Sequence, residues 1–222
     1  MYDLSNVLET EAVSEIRPGT SVLIAGPAMT GKESLAMEIL ADGSRKGEGA
    51  LVVTTGDDAD TVVEDYQERV SGANNIQLGV VDCRAEGSSG RGGDTETPPG
   101  LYIHHVSSPG DLTGIGIGIT KCLESLHSNG ATEGRLALVS LSTMLTYTDR
   151  ETVFKFCHVL SSRLDAAGYV GVFTIDTGAH DEQTLQVIKQ AFDGLIEIRE
   201  SEGARQARVL GITDSPTTWA TL

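Results

Sequence analysis

Short apolar runs alternate with amphipathic segments along most of the chain. The pattern of a strand buried on both of its faces recurs at 21–25, 50–54, 77–83, 101–106, 136–141 and 169–175. The spacing of one apolar helix face recurs between these runs, at 31–40, 57–70, 112–127, 151–166 and 182–192. Because strands that alternate with helices favour parallel pairing, the pattern predicts an α/β fold, with a mostly parallel central sheet flanked by helices on both faces.

The N-terminal segment precedes this alternation. Leu4, Val7 and Leu8 fall on one face of a helical projection, and a Pro-Gly pair follows as a helix-ending signal. The pattern therefore predicts an N-terminal helix over residues 1–18.

The last two strands predict a different kind of pairing. Residues 195–199 and 205–212 are strand-like and are separated by a short turn that contains glycine, which is typical of an antiparallel hairpin. We expect a single α/β domain over 19–212 that ends in this hairpin, followed by a polar tail over 213–222. Trp219 in the tail would either anchor a partner or cover an exposed sheet edge, and we favour the second.

Residues 84–100 have almost no apolar side chain to bury. The segment is rich in Gly, Ser, Thr and Pro, a composition typical of chain that does not fold into a core. Loops of this length are uncommon in compact domains and usually form a lid or an insertion. We predict a disordered surface loop here and favour a solvated insertion over a lid.

The composition is that of a folded domain. The 222 residues are 39% hydrophobic, which is enough chain to bury a core without disulfides or metals. The cysteines Cys83, Cys122 and Cys157 are widely spaced and include no C-x-x-C pair. They predict reduced, buried thiols rather than a disulfide framework or a zinc site, and we predict no metal site.

Acidic residues outnumber basic ones two to one. There are 32 Asp and Glu against 16 Lys and Arg, for a net charge of −16. A strongly acidic surface keeps a protein soluble in a cytoplasm that contains molar KCl, so we favour an extreme halophile over an ordinary acidic mesophile. The sequence contains no cluster of basic residues, and it therefore predicts no nucleic-acid partner.

Nothing in the sequence indicates insertion into a membrane. It has no run of 18 apolar residues, and the start lacks the basic and apolar regions of a signal peptide. We expect a cytoplasmic protein without membrane insertion.

A phosphate-binding motif follows the first buried strand. The residues G-P-A-M-T-G-K match the G-x-x-x-x-G-K pattern, and they are Gly26, Pro27, Ala28, Met29, Thr30, Gly31 and Lys32. In such a loop the backbone N–H groups and the helix N-terminus surround an anion, and the lysine adds a positive charge. The motif predicts a P-loop fold and a site for ATP or ADP.

The residue after the lysine departs from the motif. A P-loop normally has Ser or Thr there, whose hydroxyl binds Mg²⁺. This chain has Glu33, and Ser34 comes one residue late, about 100° further round the helix. Glu33 would either coordinate a cation or repel the phosphates. We favour repulsion, so Mg²⁺ binding is doubtful.

The second expected magnesium partner is also missing. An Asp should end a buried strand, yet the best candidate strand, 135–143, contains no acidic residue. Ser140 and Ser142 offer only hydroxyls, which are weaker acceptors than a carboxylate.

The order of these pieces resembles that of the RecA/KaiC-like P-loop ATPases. The stretch R-L-A-L-V-S-L-S-T-M-L over 135–145 is similar to the strand that reads V-V-I-D-S-L-S in that family, with Val139 in place of the Asp. The resemblance implies catalytic glutamates after the second strand, where this chain has Gly56 and Asp57. Asp57 is the catalytic candidate that remains.

The resemblance also implies oligomers in which the C-terminal hairpin carries a Lys or Arg to the nucleotide of a neighbouring subunit. Residues 210–212, at the corresponding place, contain no base, although Arg205 and Arg208 precede them. Over nearly its whole length, the chain resembles short RecA-like proteins of haloarchaea through the motifs G-P-A-M-T-G-K and S-S-P-G-D-L-T-G-I-G-I.

Two functions from different classes follow from these features. The first is a RecA/KaiC-like regulatory or scaffolding protein with weak or lost nucleotide binding, acting through a protein partner or a homo-oligomer. The alternative is an active ATPase in which Glu33 and Asp57 replace the missing groups. A DNA-handling recombinase is the least favoured, because no basic patch is present.

Overall fold

The computed structural model describes residues 1–84, 93–95, 97–201 and 203–222. Its strands are β1 Ser21–Gly26, β2 Gly49–Thr54, β3 Leu78–Asp82, β4 Gly93–Thr95, β5 Leu101–His105, β6 Gly134–Val139, β7 Val170–Asp176, β8 Gly194–Ser201, β9 Ala204–Leu210 and β10 Ala220–Thr221. Its α-helices are α1 Ser5–Leu8, α2 Lys32–Arg45, α3 Ala59–Arg69, α4 Leu112–Ser128, α5 Leu141–Tyr147, α6 Arg150–Ala167 and α7 Glu182–Lys189. A 3₁₀ helix spans Glu11–Val13.

All the strands form one sheet in the order β10-β9-β8-β1-β7-β6-β2-β3-β5-β4. The seven central strands, from β8 to β5, are parallel. Strands β9 and β10 at one edge and β4 at the other pair antiparallel. This arrangement confirms the predicted α/β fold and its C-terminal hairpin.

The sheet separates two hydrophobic cores, as the period of two along a strand requires. In β1, Val22 and Ile24 belong to the core under α2 and α3, whereas Leu23 and Ala25 belong to the core under α4 and α6. Both faces of β1 are therefore buried, which explains why its sequence is a continuous apolar run. Among the described residues, no helix is both long and apolar enough to cross a membrane.

The predicted N-terminal helix over 1–18 is wrong. Only the short α1 and the 3₁₀ helix form, and Tyr2 pairs with Ile16 as an antiparallel bridge. The Tyr2 hydroxyl donates a hydrogen bond to Gly168 O (2.7 Å) and accepts one from Gly134 N (2.9 Å). Tyr2 and Leu4 both belong to the first core, and the bridge to Ile16 together with the two bonds of the Tyr2 hydroxyl holds the segment folded back on itself at the amino ends of β6 and β7.

The prediction of a disordered surface loop over 84–100 is wrong for Gly93–Thr95, which forms β4 against β5. Residues 85–92 and 96 lie outside the described part of the chain. The predicted tail also contributes a strand, because β10 pairs with β9. Trp219 stacks on the guanidinium groups of Arg199 (4.0 Å) and Arg208 (4.7 Å), so it packs against the β8–β9 hairpin.

The three cysteines are free and buried. Burial raises the pKa of each thiol, that of Cys157 to about 12. Thiols in this state are unreactive, which confirms the prediction of reduced, buried cysteines.

Asp94 attaches the edge strand β4 to the domain. Its carboxylate accepts a hydrogen bond from Lys121 Nζ at 2.9 Å and lies 2.8 Å from His104 Nδ1. Burial would raise the pKa of Asp94, but hydrogen bonds from Tyr102, His104 and Lys121 outweigh it and hold the pKa well below its usual value. The folded state therefore favours the ionised carboxylate.

Asp94→Asn is expected to lower the free energy of unfolding by about 1 kcal/mol at neutral pH, since half-exposed ion pairs contribute little more. A depressed folded pKa gives stability that is present above the ordinary Asp pKa and is lost as the pH falls through the folded value. The difference between wild type and variant should therefore shrink at roughly pH 3. Urea unfolding at neutral pH and at roughly pH 3 measures this difference in the free energy of unfolding. The exposed Asp60→Asn is the control. A difference that does not change with pH would contradict this role.

Candidate functional site

The candidate site lies at the carboxyl edge of the parallel strands, where β1 ends and α2 begins. Gly31 precedes α2 with a φ of +77°, a conformation that favours glycine and turns the chain sharply into the helix. The predicted phosphate loop, residues 26–32, thus joins a buried strand to a helix N-terminus, the context that the motif requires.

Lys32 is held inside this loop. Its side chain is 2% exposed, and its Nζ donates a hydrogen bond to Pro27 O at 2.7 Å. The Thr30 hydroxyl donates to the same carbonyl at 2.8 Å. The side chains of Lys32 and Thr30 therefore share the Pro27 carbonyl as their acceptor. The Lys32 ammonium therefore lies within the loop without a carboxylate partner among the described residues.

The remaining loop residues lie on the outside. Pro27, Ala28 and Met29 are exposed, and Met29 is 98% exposed with a φ of +61°. The anion-binding groups that the motif provides here are the backbone N–H groups of the loop and the Lys32 ammonium, which the structure holds buried against Pro27 O.

A cavity of about 260 Å³ lies beside the first turn of α2. It is lined by Glu33, Ser34, Met37, Val52, Thr54, Asp57, Thr61, Val62, Asp65, Arg69 and Val139. The structure therefore brings together three positions at which the sequence departs from the ATPase pattern: Glu33, Asp57 and Val139. They are distant in the chain and share one cavity because β2 and β6 are neighbours.

The end of β6 carries no carboxylate. The strand stops at Val139, and Ser140 caps α5 by accepting a hydrogen bond from Ser142 N at 3.1 Å. The predicted strand is therefore wrong beyond Val139. The Thr55 hydroxyl accepts from Ser140 N at 2.8 Å and donates to Val139 O at 3.0 Å, which ties β6 to the turn after β2.

The donors around the cavity do not fit a magnesium site of the P-loop kind. The Ser34 hydroxyl is exposed and accepts a hydrogen bond from Arg69 Nη1 at 3.4 Å, so it faces away from the loop as the rotation argument predicts. Arg69 also pairs with Asp65 at 2.9 Å. No group of three or more His, Cys, Asp or Glu in the described residues has metal-binding geometry.

Asp57 is exposed, and its main chain forms a tight turn with Thr54. The Thr54 hydroxyl accepts from Asp57 N (3.1 Å) and donates to Asp57 O (2.8 Å). The turn fixes the backbone of Asp57, an exposed residue that lines the cavity. Asp58, the next residue, caps α3 by accepting from Thr61 N at 2.8 Å, and this hydrogen bond lowers its pKa.

Two further polar groups lie near the site: Asp82, which the sequence analysis did not single out, and Arg205, which it named only as a base before residues 210–212. Asp82 ends β3, and its buried carboxylate accepts from Ala59 N (3.1 Å) and Arg84 N (2.9 Å), which orients the start of α3. The Arg205 guanidinium lies against Gly31, so that a side chain at position 31 would collide with it. An acidic residue at the end of a predicted buried strand is the sequence feature by which Asp82 could have been found. The position of Arg205 has no local signal.

A family model described as "Family of unknown function (DUF7504)" matches residues 19–198. The chain belongs to this family. No curated protein matches the sequence. The match of this family of unknown function covers the loop, the cavity and most of the sheet.

The crystal structure of a KaiC-like protein from the hyperthermophilic archaeon Pyrococcus horikoshii OT3 has the same fold. The alignment gives a TM-score of 0.59 at 14% sequence identity and covers 98% of this chain and 88% of that chain. At this identity the likeness concerns the fold alone. It confirms the predicted RecA/KaiC-like fold.

Proposed function

We propose that this chain is a RecA/KaiC-like regulatory or scaffolding protein whose phosphate loop binds ATP or ADP weakly and without magnesium. The observation that carries the proposal is the cavity beside α2, where Val139 ends β6 and Glu33 opens the helix. An apolar side chain and a carboxylate occupy the two places that a magnesium-dependent P-loop needs for an Asp and a hydroxyl.

The electrostatics of the loop support weak binding over none. The backbone of the loop, the start of α2 and the Lys32 ammonium all favour an anion. Glu33 adds a negative charge one residue later, in a chain that already carries a net charge of −16. Repulsion between this carboxylate and the terminal phosphates lowers affinity without removing the site.

Slow or absent hydrolysis follows from the same residues. In phosphoryl transfer, most of the catalysis is positioning and neutralisation of charge by metal ions and cations. Loss of one such electrostatic element typically costs roughly 10²–10³ in rate. The chain lacks both protein groups that would hold the metal, so a bound nucleotide would act as a signal or structural ligand.

An active ATPase is the second candidate function. The observation that favours it is the shared cavity, which both Glu33 and Asp57 line. In this case Glu33 would contribute to cation binding and Asp57 would orient a water molecule. The lack of a three-ligand cluster in the described part of the chain goes against it.

Calorimetric titration of ATP and ADP, with and without Mg²⁺, separates these functions. We expect a dissociation constant on the order of 0.1 mM or weaker that Mg²⁺ leaves unchanged. Micromolar binding that requires Mg²⁺, together with phosphate release, would overturn the proposal in favour of the ATPase. The absence of binding in every condition would mean that the fold serves only as a protein-binding scaffold.

The double variant Glu33→Ser, Val139→Asp restores the two missing groups and is expected to make ATP binding magnesium-dependent. We expect Mg²⁺ to tighten ATP binding roughly tenfold in this variant and to leave the wild type unchanged. The matched control is Glu33→Ser, Val139→Asn, which has nearly the same shape at position 139 without the charge. An equal response of the two double variants to Mg²⁺ would contradict the assignment of Val139.

We also propose the type of organism, the cellular compartment and the class of partner. The net charge of −16 supports a haloarchaeal, cytoplasmic origin, so the titrations belong in molar KCl. The family described for residues 19–198 has no assigned function, and the partner is proposed only by class: another protein or further copies of this chain.

A further inference from the structure

A second cavity, of about 490 Å³, lies between helices α4 and α6. These helices cover the face of the sheet opposite α2 and α3, so this α4–α6 cavity is separate from the phosphate loop. Two of its apolar side chains, Ile117 and Val159, are 50% and 54% exposed. The cavity is lined by Leu112, Thr113, Gly116, Ile117, Ile119, Thr120, Lys121, Glu124, Phe156, Val159, Leu160 and Arg163. The described chain therefore leaves an apolar surface open to solvent here.

Gly116 keeps the α4–α6 cavity open. Apart from the backbone of its own helix, a Cβ at this position would have no atom within 4 Å. At Gly118, by contrast, a Cβ would approach His104 Cδ2 to 2.6 Å, so packing against the sheet requires that glycine. Glycine is unfavourable inside a helix. No contact of the described chain explains Gly116, and the space that its missing side chain leaves belongs to the cavity.

Arg163 is the lining residue nearest the C-terminus of α6. Its Nη1 donates to Thr120 Oγ1 at 2.8 Å and to Gly116 O at 3.4 Å, and both acceptors are neutral. Lys121, the other cation of the lining, pairs with Asp94 at 2.9 Å. Arg163 forms no ion pair with any residue that the structure describes, in a chain with twice as many acids as bases. One uncompensated positive charge beside an apolar surface favours a ligand that is apolar and carries one negative charge.

The size of the α4–α6 cavity favours a small molecule over a protein. Small-molecule sites typically have volumes of roughly 300–1,000 Å³. A standard interface between proteins uses about 20–30 residues from each partner, whereas twelve residues line this cavity. A single free guanidinium also matches a carboxylate better than a phosphate dianion, because the chain carries a net charge of −16.

We infer that the α4–α6 cavity binds a small carboxylic acid with a hydrocarbon chain. The chain packs against the apolar lining, and the carboxylate accepts hydrogen bonds from the Arg163 guanidinium, whose planar form suits both carboxylate oxygens. Burial of the hydrocarbon provides most of the affinity, and the arginine selects the acid over a neutral molecule of the same shape. The inference does not depend on whether the phosphate loop binds a nucleotide.

The first test titrates octanoate, 1-octanol and acetate into the wild-type protein by calorimetry. We expect octanoate to bind with a dissociation constant on the order of 0.1 mM and 1-octanol to bind roughly tenfold more weakly. Acetate has the carboxylate without the hydrocarbon chain, so it should show no binding. A wild type that does not bind octanoate would overturn the inference.

Gly116→Leu fills the cavity with a side chain that meets no neighbour, so the variant should remain folded. We expect it to weaken octanoate binding more than tenfold. The matched control is His127→Leu, which adds the same side chain at an exposed position of α4 outside the lining. Equal octanoate affinity in Gly116→Leu and wild type would place the bound acid elsewhere and overturn the inference.

Arg163→Gln tests the charge of the ligand. We expect it to weaken octanoate binding roughly tenfold and to leave 1-octanol binding unchanged, because only the acid uses the guanidinium. Unchanged octanoate affinity would overturn the assignment of the cavity to carboxylic acids.

Two further measurements keep the test decisive. Far-UV circular dichroism shows whether each variant is folded, and Ile117→Asp replaces Gly116→Leu if the latter is not. Ile117 is half exposed, so an aspartate is tolerated there and should repel the acid. Sedimentation velocity of wild type and Gly116→Leu tests the competing occupant. A wild-type dimer that Gly116→Leu dissociates, without octanoate binding, would show that a second copy covers the cavity and would overturn the inference.

Discussion

Lys32→Ala is expected to weaken ATP and ADP binding roughly 10–100-fold, because a hydrogen bond between charged groups contributes about 1.5–3 kcal/mol. The Lys32 side chain is 2% exposed and lies within the loop, where an ammonium is shielded from water more than on the surface. Its one hydrogen bond in the structure, to Pro27 O, is to a neutral acceptor that Thr30 also satisfies. The loop should therefore keep its conformation in the variant. Calorimetric titration in molar KCl, with thermal unfolding alongside, measures both effects.

Lys46→Ala is the matched control, since it removes the same charge at the other end of α2. Lys46 follows the last residue of α2, and the loop precedes the first. Lys46 pairs with Asp42 at 2.7 Å, so its removal should not change nucleotide affinity. Equal affinity of Lys32→Ala and wild type would show that the loop does not hold the phosphates through its lysine. A loss of affinity in both variants would point to net charge rather than to the site.

Arg135→Met is expected to lower the free energy of unfolding by about 3–5 kcal/mol, the usual cost of leaving a buried charge without its partner. The Arg135 side chain is fully buried at the start of β6. It donates to both oxygens of Glu48 (2.6 and 3.0 Å), to Asp42 (3.3 Å) and to Ile39 O (2.8 Å). Urea unfolding at neutral pH measures the loss, which corresponds to roughly 6–20 °C in melting temperature for a chain of this size.

The double variant Arg135→Met, Glu48→Met distinguishes the effect of an unpaired charge from the effect of altered packing. Removing both charges leaves no unpaired Glu48 carboxylate, so the double variant should be more stable than Arg135→Met alone. Nucleotide affinity should not change in either variant, because this network lies at the opposite end of β6 from Val139. A loss below about 1 kcal/mol in Arg135→Met would contradict a structural role for the network.

Gly43 shows why this network could not be anticipated. It lies inside α2, where glycine normally costs about 1 kcal/mol relative to alanine. A side chain there would approach Arg135 Nε to 2.7 Å and Glu48 Oε2 to 2.8 Å. The sequence shows a helix with a glycine and a strand with an arginine. Only their packing shows that the glycine makes room for the buried ion pair.

Local patterns were enough to predict most elements of the central sheet. The buried strands and the helices between them follow from apolar periods, which depend on neighbouring residues alone. The phosphate loop was predicted for the same reason, because its seven residues are contiguous and its context is one strand and one helix. The identities of Glu33 and Val139 are also properties of the sequence, and they carry the proposed loss of magnesium binding.

The predictions that were wrong concern segments whose conformation depends on distant partners. The N-terminal segment carries a helical pattern, yet Tyr2 pairs with Ile16, and its hydroxyl is hydrogen-bonded to Gly134 and Gly168, far away in the chain. Gly93–Thr95 and the tail strand β10 have little apolar pattern, and they become strands because unpaired sheet edges offer them hydrogen bonds. Pairing of this kind leaves no periodic signal in the sequence.

The sequence by itself determined the α/β fold and the identities of residues 26–34 and Val139, on which the proposed phosphate loop and the proposed loss of magnesium binding rest, since each depends on residue identity and short-range spacing. The tertiary structure decided which distant residues meet at that loop. It placed Glu33, Asp57 and Val139 around one cavity and brought Arg205 of the hairpin against Gly31. The physical reason is that strand order and register set these contacts, and they arise from packing between elements far apart in the chain.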